Sequence, residues 1–282
     1  MHYTVPVTEL ISRRSSWRTF QEIPLTEDHA AALREFMQSL PPPPFGSTIR
    51  IGLVDAGASQ SRFKGTYGIA RGARSFLVGA AQSGQRVNED YGYLFEAVIL
   101  RATELGLGTC WMGGTFSTGF FAEKILLGGS EIIPAVSPVG YPAGSRSLID
   151  ALFVAGAGSR RRKNGRELFF QEKFGVPCAV DDSPYRIPFE MVRIGPSASN
   201  RQPWRILCAD GNMHFFLQRS IGYKAMFKDI DIQKIDMGIA MLHFELTCRE
   251  RSLPGNWEVK HPEVRSLPGN TEYIVSWVPD HT

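Results

Sequence analysis

Apolar side chains recur at helical spacing in two long stretches of the chain. Phe95, Val98, Ile99, Ala102 and Leu105 make one sticky face of a helix predicted over 91–105. Ala240, Met241, Phe244 and Cys248 do the same over 236–251. Asn88-Glu89-Asp90-Tyr91-Gly92 leads into the first helix, and Gly106-Leu107-Gly108 stops it. Asp236-Met237-Gly238 begins the second, which ends near Leu253-Pro254-Gly255-Asn256-Trp257. In both places an aspartate and a glycine come before the helix, and a glycine turn with a tryptophan comes after it.

A second pairing precedes these helices. A helix over 28–40 leads to Pro41-Pro42-Pro43-Pro44-Phe45-Gly46 and then to a strand, Ile49-Arg50-Ile51-Gly52-Leu53-Val54. A helix over 189–194 leads to a loop over 196–204 and then to the strand Arg205-Ile206-Leu207-Cys208. The chain is therefore expected to hold two related halves, 1–173 and 174–282, divided in the turn-rich segment 174–183. The predicted class is α+β, each half a mainly antiparallel sheet packed by helices.

The two loops differ in chemistry. Four successive prolines take an extended conformation and offer few donors. Pro196-Ser197-Ala198-Ser199-Asn200-Arg201-Gln202-Pro203-Trp204 is polar and stiffened at both ends. Its hydroxyls and the amides of Asn200 and Gln202 suit the carbonyl and imide edge of a flat heterocycle; they equally suit a helix cap at Ser197 or Ser199.

Composition narrows the classes. Of 282 residues, 43% are hydrophobic and 21% charged, as in an ordinary globular protein, and the net charge of +3 gives no reason to expect nucleic acid. No apolar run of about 18 residues predicts a membrane span, and the start of the chain lacks a signal-peptide layout, so a cytoplasmic protein is expected. Cys110, Cys178, Cys208 and Cys248 are scattered, with no metal-ligand spacing, and are expected to be reduced and mostly buried; no metal site is predicted.

Two more segments carry chemistry. Ile11-Ser12-Arg13-Arg14-Ser15-Ser16-Trp17-Arg18-Thr19-Phe20 sets arginines among serines, a mixture suited to a phosphate or to a solvated basic face. Gly106-Leu107-Gly108-Thr109-Cys110-Trp111-Met112-Gly113-Gly114 lets backbone N–H groups approach a ligand closely. It is neither a dinucleotide fingerprint nor a P-loop.

Together these segments resemble the FMN-dependent nitroreductases. Arg14, Ser16, Arg18 and Phe20 match an RRSxRxF-like motif, with Ser15 where a basic residue is usual. The 196–204 loop matches PSAxNxQPW, and 106–111 matches a GLGTxW-like turn. Arg160 and Arg162, ahead of Glu167-Leu168-Phe169-Phe170, resemble the family's basic tail. In ordinary members one subunit supplies the arginine motif, glycine turn and tail, and the other supplies the polar loop. Here the sets fall in successive halves, so the resemblance implies a fused, single-chain pseudo-dimer with one site kept and one lost, like the single-chain nitroreductases of bacteria and archaea. A monomer follows as an expectation, with a small electron acceptor as partner and no nucleic acid or membrane.

The resemblance further implies FMN between the halves, its phosphate and ribityl tail on Arg14, Ser15, Ser16, Arg18, Arg160 and Arg162. Lys64 would stand near the pyrimidine ring. Pro196, Ser197, Ala198, Ser199, Asn200 and Gln202 would meet the polar edge, and an N–H from Met112, Gly113 or Gly114 would face N5. NADH or NADPH would deliver a hydride, and a nitroaromatic or quinone would accept it, with no catalytic side chain assigned. The alternative from another class is a protein that keeps this scaffold and binds flavin without turnover, or binds nothing.

Overall fold

The computed structural model describes residues 1–57, 65–144, 161–220, 230–264 and 267–280. The chain divides into two compact units, Met1–Gly158 and Ser159–Thr282.

In the first unit, helix α1 (Val7–Arg13) buries Val7, Leu10 and Ile11. Helix α2 (Glu27–Gln38) starts at Thr26, whose hydroxyl accepts the His29 N–H at 3.4 Å, with Glu27 and Asp28 in the favoured first turn. The prolines at 41–44 keep it from extending further. Strand β1 (Ile49–Asp55) pairs antiparallel with β2 (Ser75–Gln82). Helix α3 (Val87–Glu104) follows, then β3 (Gly108–Thr109), α4 (Thr118–Lys124), β4 (Glu131–Ile132) and β5 (Val136–Gly140). The sheet order is β1-β2-β5-β3, with β4 also paired to β2. Because β2 is central, its side chains are buried from Ser75 to Ala81, and the strand reads as a continuous apolar run.

In the second unit, β6 (Phe169–Gln171) precedes helix α5 (Arg186–Arg193), strands β7 (Trp204–Ala209) and β8 (Asn212–Gln218), helix α6 (Ile232–Glu250), β9 (Gly255–Glu258) and β10 (Thr271–Pro279). The order is β6-β7-β8-β10-β9, with only β6–β7 parallel among the pairs of this sheet. Phe215, Phe244, Trp257 and Trp277 stack edge to face behind it, with ring centroids 5.0–5.8 Å apart along the chain of contacts. Gly255 leaves room for this cluster, since a Cβ there would sit 2.6 Å from the Trp277 ring.

The two long helices correct the one-face expectation: α3 and α6 are buried nearly all round, including Glu89, Asp90 and Glu96 in α3 and Gln233, Asp236 and Glu245 in α6. Asp90 and Asp236 lie inside their helices, not ahead of them. The corners that follow match bond for bond. Leu107 N–H donates to Ala102 O, and Leu253 N–H to Cys248 O, each at 2.9 Å. Gly106 (φ 73°) and Ser252 (φ 56°) turn these corners in the left-handed region. The sheets also run in the same order from β1-β2-β5-β3 to β7-β8-β10-β9.

The boundary expected at 174–183 falls earlier. The segment 169–171 is a strand hydrogen-bonded to β7, Phe169 opposite Ile206 and Gln171 opposite Cys208, so it belongs to the second unit. The predicted helix over 189–194 likewise begins at Arg186.

Candidate functional site

The first unit brings the arginine segment and the glycine turn together. Helix α1 ends when Arg14 turns to extended backbone (φ −55°, ψ 126°). From there the chain runs alongside β3: Ser16 bridges Thr109, and Trp17 N–H donates to Thr109 O at 2.8 Å. Arg71 N–H then donates to Arg18 O at 2.7 Å and Phe20 N–H to Arg71 O at 2.8 Å. Gly108 makes the close pass possible, because a Cβ there would lie 3.0 Å from Trp17 Cβ and Cγ.

Arg14 is enclosed. Its side chain is 7% exposed, and its Nε lies 3.8 Å from Oε1 of the fully buried Glu96. That Nε is buried without a hydrogen-bond partner among the described residues. The other Glu96 oxygen accepts Trp111 Nε1–H at 2.6 Å. One carboxylate thus ties the arginine segment to the tryptophan of the glycine turn. Sequence reasoning passed over Glu96; the available signal was a single carboxylate in the apolar run Tyr93-Leu94-Phe95-Glu96-Ala97-Val98-Ile99-Leu100. Ser15, Ser16 and Arg18 lie half-buried on the same segment.

Of the three N–H groups proposed for the flavin's N5, one is already engaged. Met112 N–H donates to Val136 O at 2.9 Å and Val136 N–H returns to Met112 O at 3.0 Å, so Met112 is a buried ladder residue. Gly113 and Gly114 are left as the candidates. Lys64 and Arg160 lie outside the described residues.

In the second unit, the 196–204 loop has an unusual backbone. Ala198–Asn200 form a 3-10 turn, and Ser199 (φ 46°), Asn200 (φ 53°) and Gln202 (φ 49°) are all left-handed. Such residues each cost on the order of 1 kcal/mol or more and persist only where surroundings hold them. The holding groups are explicit. Gln202 N–H donates to Ser197 Oγ at 2.9 Å, and its Nε2 donates to Asn200 O at 3.0 Å. Its Oε1 accepts Lys163 N–H at 2.8 Å. Asn200 Nδ2 donates to Arg161 O at 2.8 Å, while its Oδ1 accepts from the Arg162 guanidinium.

These bonds revise three assignments. Gln202 is 2% exposed, and its amide shapes the loop from inside instead of facing a ring. The Asn200 amide is likewise bonded to Arg161 and Arg162. Arg162, assigned by its motif to the first half, lies in the second unit and donates to Ile194 O at 2.9 Å as well as to Asn200. The loop turns outward through exposed Ser199 and half-buried Pro196, Ser197 and Ala198.

Beneath the loop, Asp236 Oδ1 accepts Ala198 N–H at 2.9 Å. Burial drives the Asp236 carboxyl well above the usual range, and Asp231 adds to the rise. Arg205 and Lys163 lie beside Gln202. Arg205 donates to Gln202 O at 3.0 Å and is lowered to about 10 by burial. Lys163 is lowered to about 8, first by burial and then by the charge of Arg205. Sequence reasoning assigned Asp236 no chemistry.

The model of a family described as "Putative TM nitroreductase" matches residues 6–248. A crystal structure of a "putative nitroreductase" from Thermotoga maritima MSB8 superimposes with a TM-score of 0.60 at 20% identity, covering 98% of this chain and 95% of that one. A nitroreductase family protein from Clostridium novyi NT gives 0.40 at 16% identity, covering 52% and 91%. An FMN-dependent nitroreductase from Clostridium difficile R20291 gives 0.41 at 19%, covering 49% and 88%. No curated protein matches. Among the described residues no helix is long and apolar enough to cross a membrane, and no cluster of side chains could hold a metal ion. The architecture is that of the Thermotoga maritima structure, and the family's model spans most of the sequence: the chain belongs to this nitroreductase family.

Proposed function

We propose that this chain is an FMN-dependent oxidoreductase that takes a hydride from NADH or NADPH and passes it to an electron-poor acceptor such as a nitroaromatic or a quinone. The observation that carries the reading is the alignment of the 14–20 segment with the glycine turn, through Trp17 N–H on Thr109 O. It sets Arg14, Ser16 and Arg18 beside a backbone that approaches closely at Gly108.

The donor set fits the group. A phosphate asks for cations and hydroxyls, and the arginine segment offers both; the buried Arg14 Nε has no hydrogen-bond acceptor among the described residues. A flat polar ring asks for a stiff, preformed edge, and the loop around Ser199 is held in one shape by its own amides. When bound, the flavin would supply the hydride chemistry. Arg14, Ser16 and Arg18 would hold the phosphate, with Glu96 orienting Arg14. Pro196, Ser197, Ala198 and Ser199 would face the ring edge, and Gly113 or Gly114 would offer an N–H. We also infer that the two units descend from one duplicated unit, on the matching corners and strand orders, and that the chain works as a monomer.

The test is the absorption spectrum and released-flavin stoichiometry of the purified protein, before and after added FMN. One FMN per chain is expected, with Arg14→Ala reducing retention at least tenfold. A chain that stays colourless with added FMN overturns the reading. A yellow protein that NADH and NADPH both leave oxidised in the absence of oxygen reduces it to flavin binding without turnover.

A further inference from the structure

Two of the four cysteines do not share the burial expected of them. Cys110 and Cys248 are buried, whereas Cys178 and Cys208 are partly exposed. These two belong to the second unit, where their sulfurs lie 3.9 Å apart. Cys208 sits in β7, fixed on one side by β6 and on the other by β8. Cys178 follows a tight turn marked by left-handed Glu172 (φ 58°) and Gly175 (φ 88°), and its N–H donates to Phe169 O at 3.0 Å. Gln171 Oε1 lies 3.6 Å from the Cys178 sulfur.

We infer that Cys178 and Cys208 form a redox-active dithiol that exchanges with small-molecule disulfides of the glutathione class. An S–S bond needs about 2.05 Å, so the sulfurs must close by roughly 2 Å. Cys208 is locked between two strands, whereas the Cys178 segment is paired on one side alone, to β6, so the closing movement falls to Cys178. The direction of attack follows from the pair. The contact between the two sulfurs lowers the Cys178 thiol below the ordinary cysteine value, while the same contact and burial push Cys208 upward. Cys178 is therefore the attacking sulfur and Cys208 the resolving one.

The steps balance. The Cys178 thiolate attacks one sulfur of oxidised glutathione, forming a mixed disulfide and releasing one glutathione thiolate. Cys208 gives its proton to that thiolate or to water and attacks Cys178 Sγ, releasing the second glutathione. The protein loses two electrons as a disulfide forms, and the glutathione disulfide gains them.

The full chain is incubated at pH 7 with oxidised glutathione, followed by thiol counting and peptide mass spectrometry. Wild type should fall from four thiols to two and yield a 178–208 cross-linked peptide. Cys208→Ser should keep a stable glutathione adduct on Cys178, with Cys208→Ala repeating the result if the serine variant folds poorly. Cys178→Ser should react about tenfold more slowly, because it removes the thiol with the larger thiolate fraction. The inference is overturned if wild type keeps four thiols, if the cross-link joins other cysteines, or if Cys178→Ser reacts at the wild-type rate.

Discussion

Asp236 Oδ1 accepts the backbone N–H of Ala198 at 2.9 Å, and so anchors the 196–204 loop to the long helix of its own unit. Asp90 holds the corresponding place in the first unit, where its two oxygens accept Phe45 N–H and Ser47 N–H, each at 2.9 Å. The proline loop and the polar loop are thus fastened by equivalent aspartates. In the second unit Oδ2 of Asp236 is buried without a hydrogen-bond partner among the described residues.

This arrangement makes Asp236→Asn the mild variant and Asp236→Leu the severe one. Asparagine keeps an acceptor for Ala198, whereas leucine leaves a buried N–H unsatisfied, at about 1–3 kcal/mol. The pH dependence has a definite sign. The folded carboxyl titrates above its unfolded value of about 3.9, so the folded state binds more protons and stability falls as pH rises past about 4. Urea titrations from pH 3 upward should show this fall in wild type and a shallower one in Asp236→Asn.

Two glycines near the site should respond for different reasons. A Cβ at Gly108 would press on Trp17 at 3.0 Å and Pro142 at 3.1 Å. Gly108→Ala should cost about 1–3 kcal/mol and shift the arginine segment. Gly106 has open space around it but φ of 73°, so Gly106→Ala should cost about 1 kcal/mol of backbone strain with the segment in place. Denaturation separates the costs, and FMN titration separates the local effects: only the Gly108 variant should lose affinity.

Glu96 and Arg14 form a buried pair, with side chains 0% and 7% exposed. Removing either charge strands the other, so Glu96→Gln and Arg14→Met should each destabilise by about 3–5 kcal/mol. The double variant should cost clearly less than the two added together. A double-mutant cycle by chemical denaturation gives the coupling; additivity would show that Trp111 alone is what Glu96 serves.

Lys163 should titrate in the mildly alkaline range. Its folded value of about 8 lies below the unfolded value of about 10.4, so the unfolded state binds more protons between them. Stability should therefore gain a rising component between pH 8 and pH 10, and Lys163→Met should remove it. The same amine should react with acylating reagents at pH 8 ahead of the exposed lysines.

Much of the fold was legible in local pattern. The helices over 91–105 and 236–251 follow from apolar spacing, and the strands after each loop from short apolar runs; both helices are longer by several residues because tertiary burial extends past the periodic core. What escaped depends on long-range pairing. A three-residue strand such as β6 carries no signal until β7 lies beside it, and this moved the boundary between units and the place of Arg162. Within the candidate site, the partners of the polar side chains were not legible. Gln202 and Asn200 bear amides suited to a ligand, yet the segment 161–163, nearly forty residues earlier, bonds to both. Glu96 and Asp236 were likewise hidden, as carboxylates within apolar helices whose partners lie far away in sequence.

The three left-handed residues at 199, 200 and 202 have a kinetic consequence. A loop whose shape is already set during folding presents its outer edge without an ordering step, so a ligand meets a rigid surface and forfeits little entropy on contact. Association at this edge should then be limited by diffusion and orientation, with stopped-flow rates that rise linearly with ligand concentration and show no saturating, unimolecular phase.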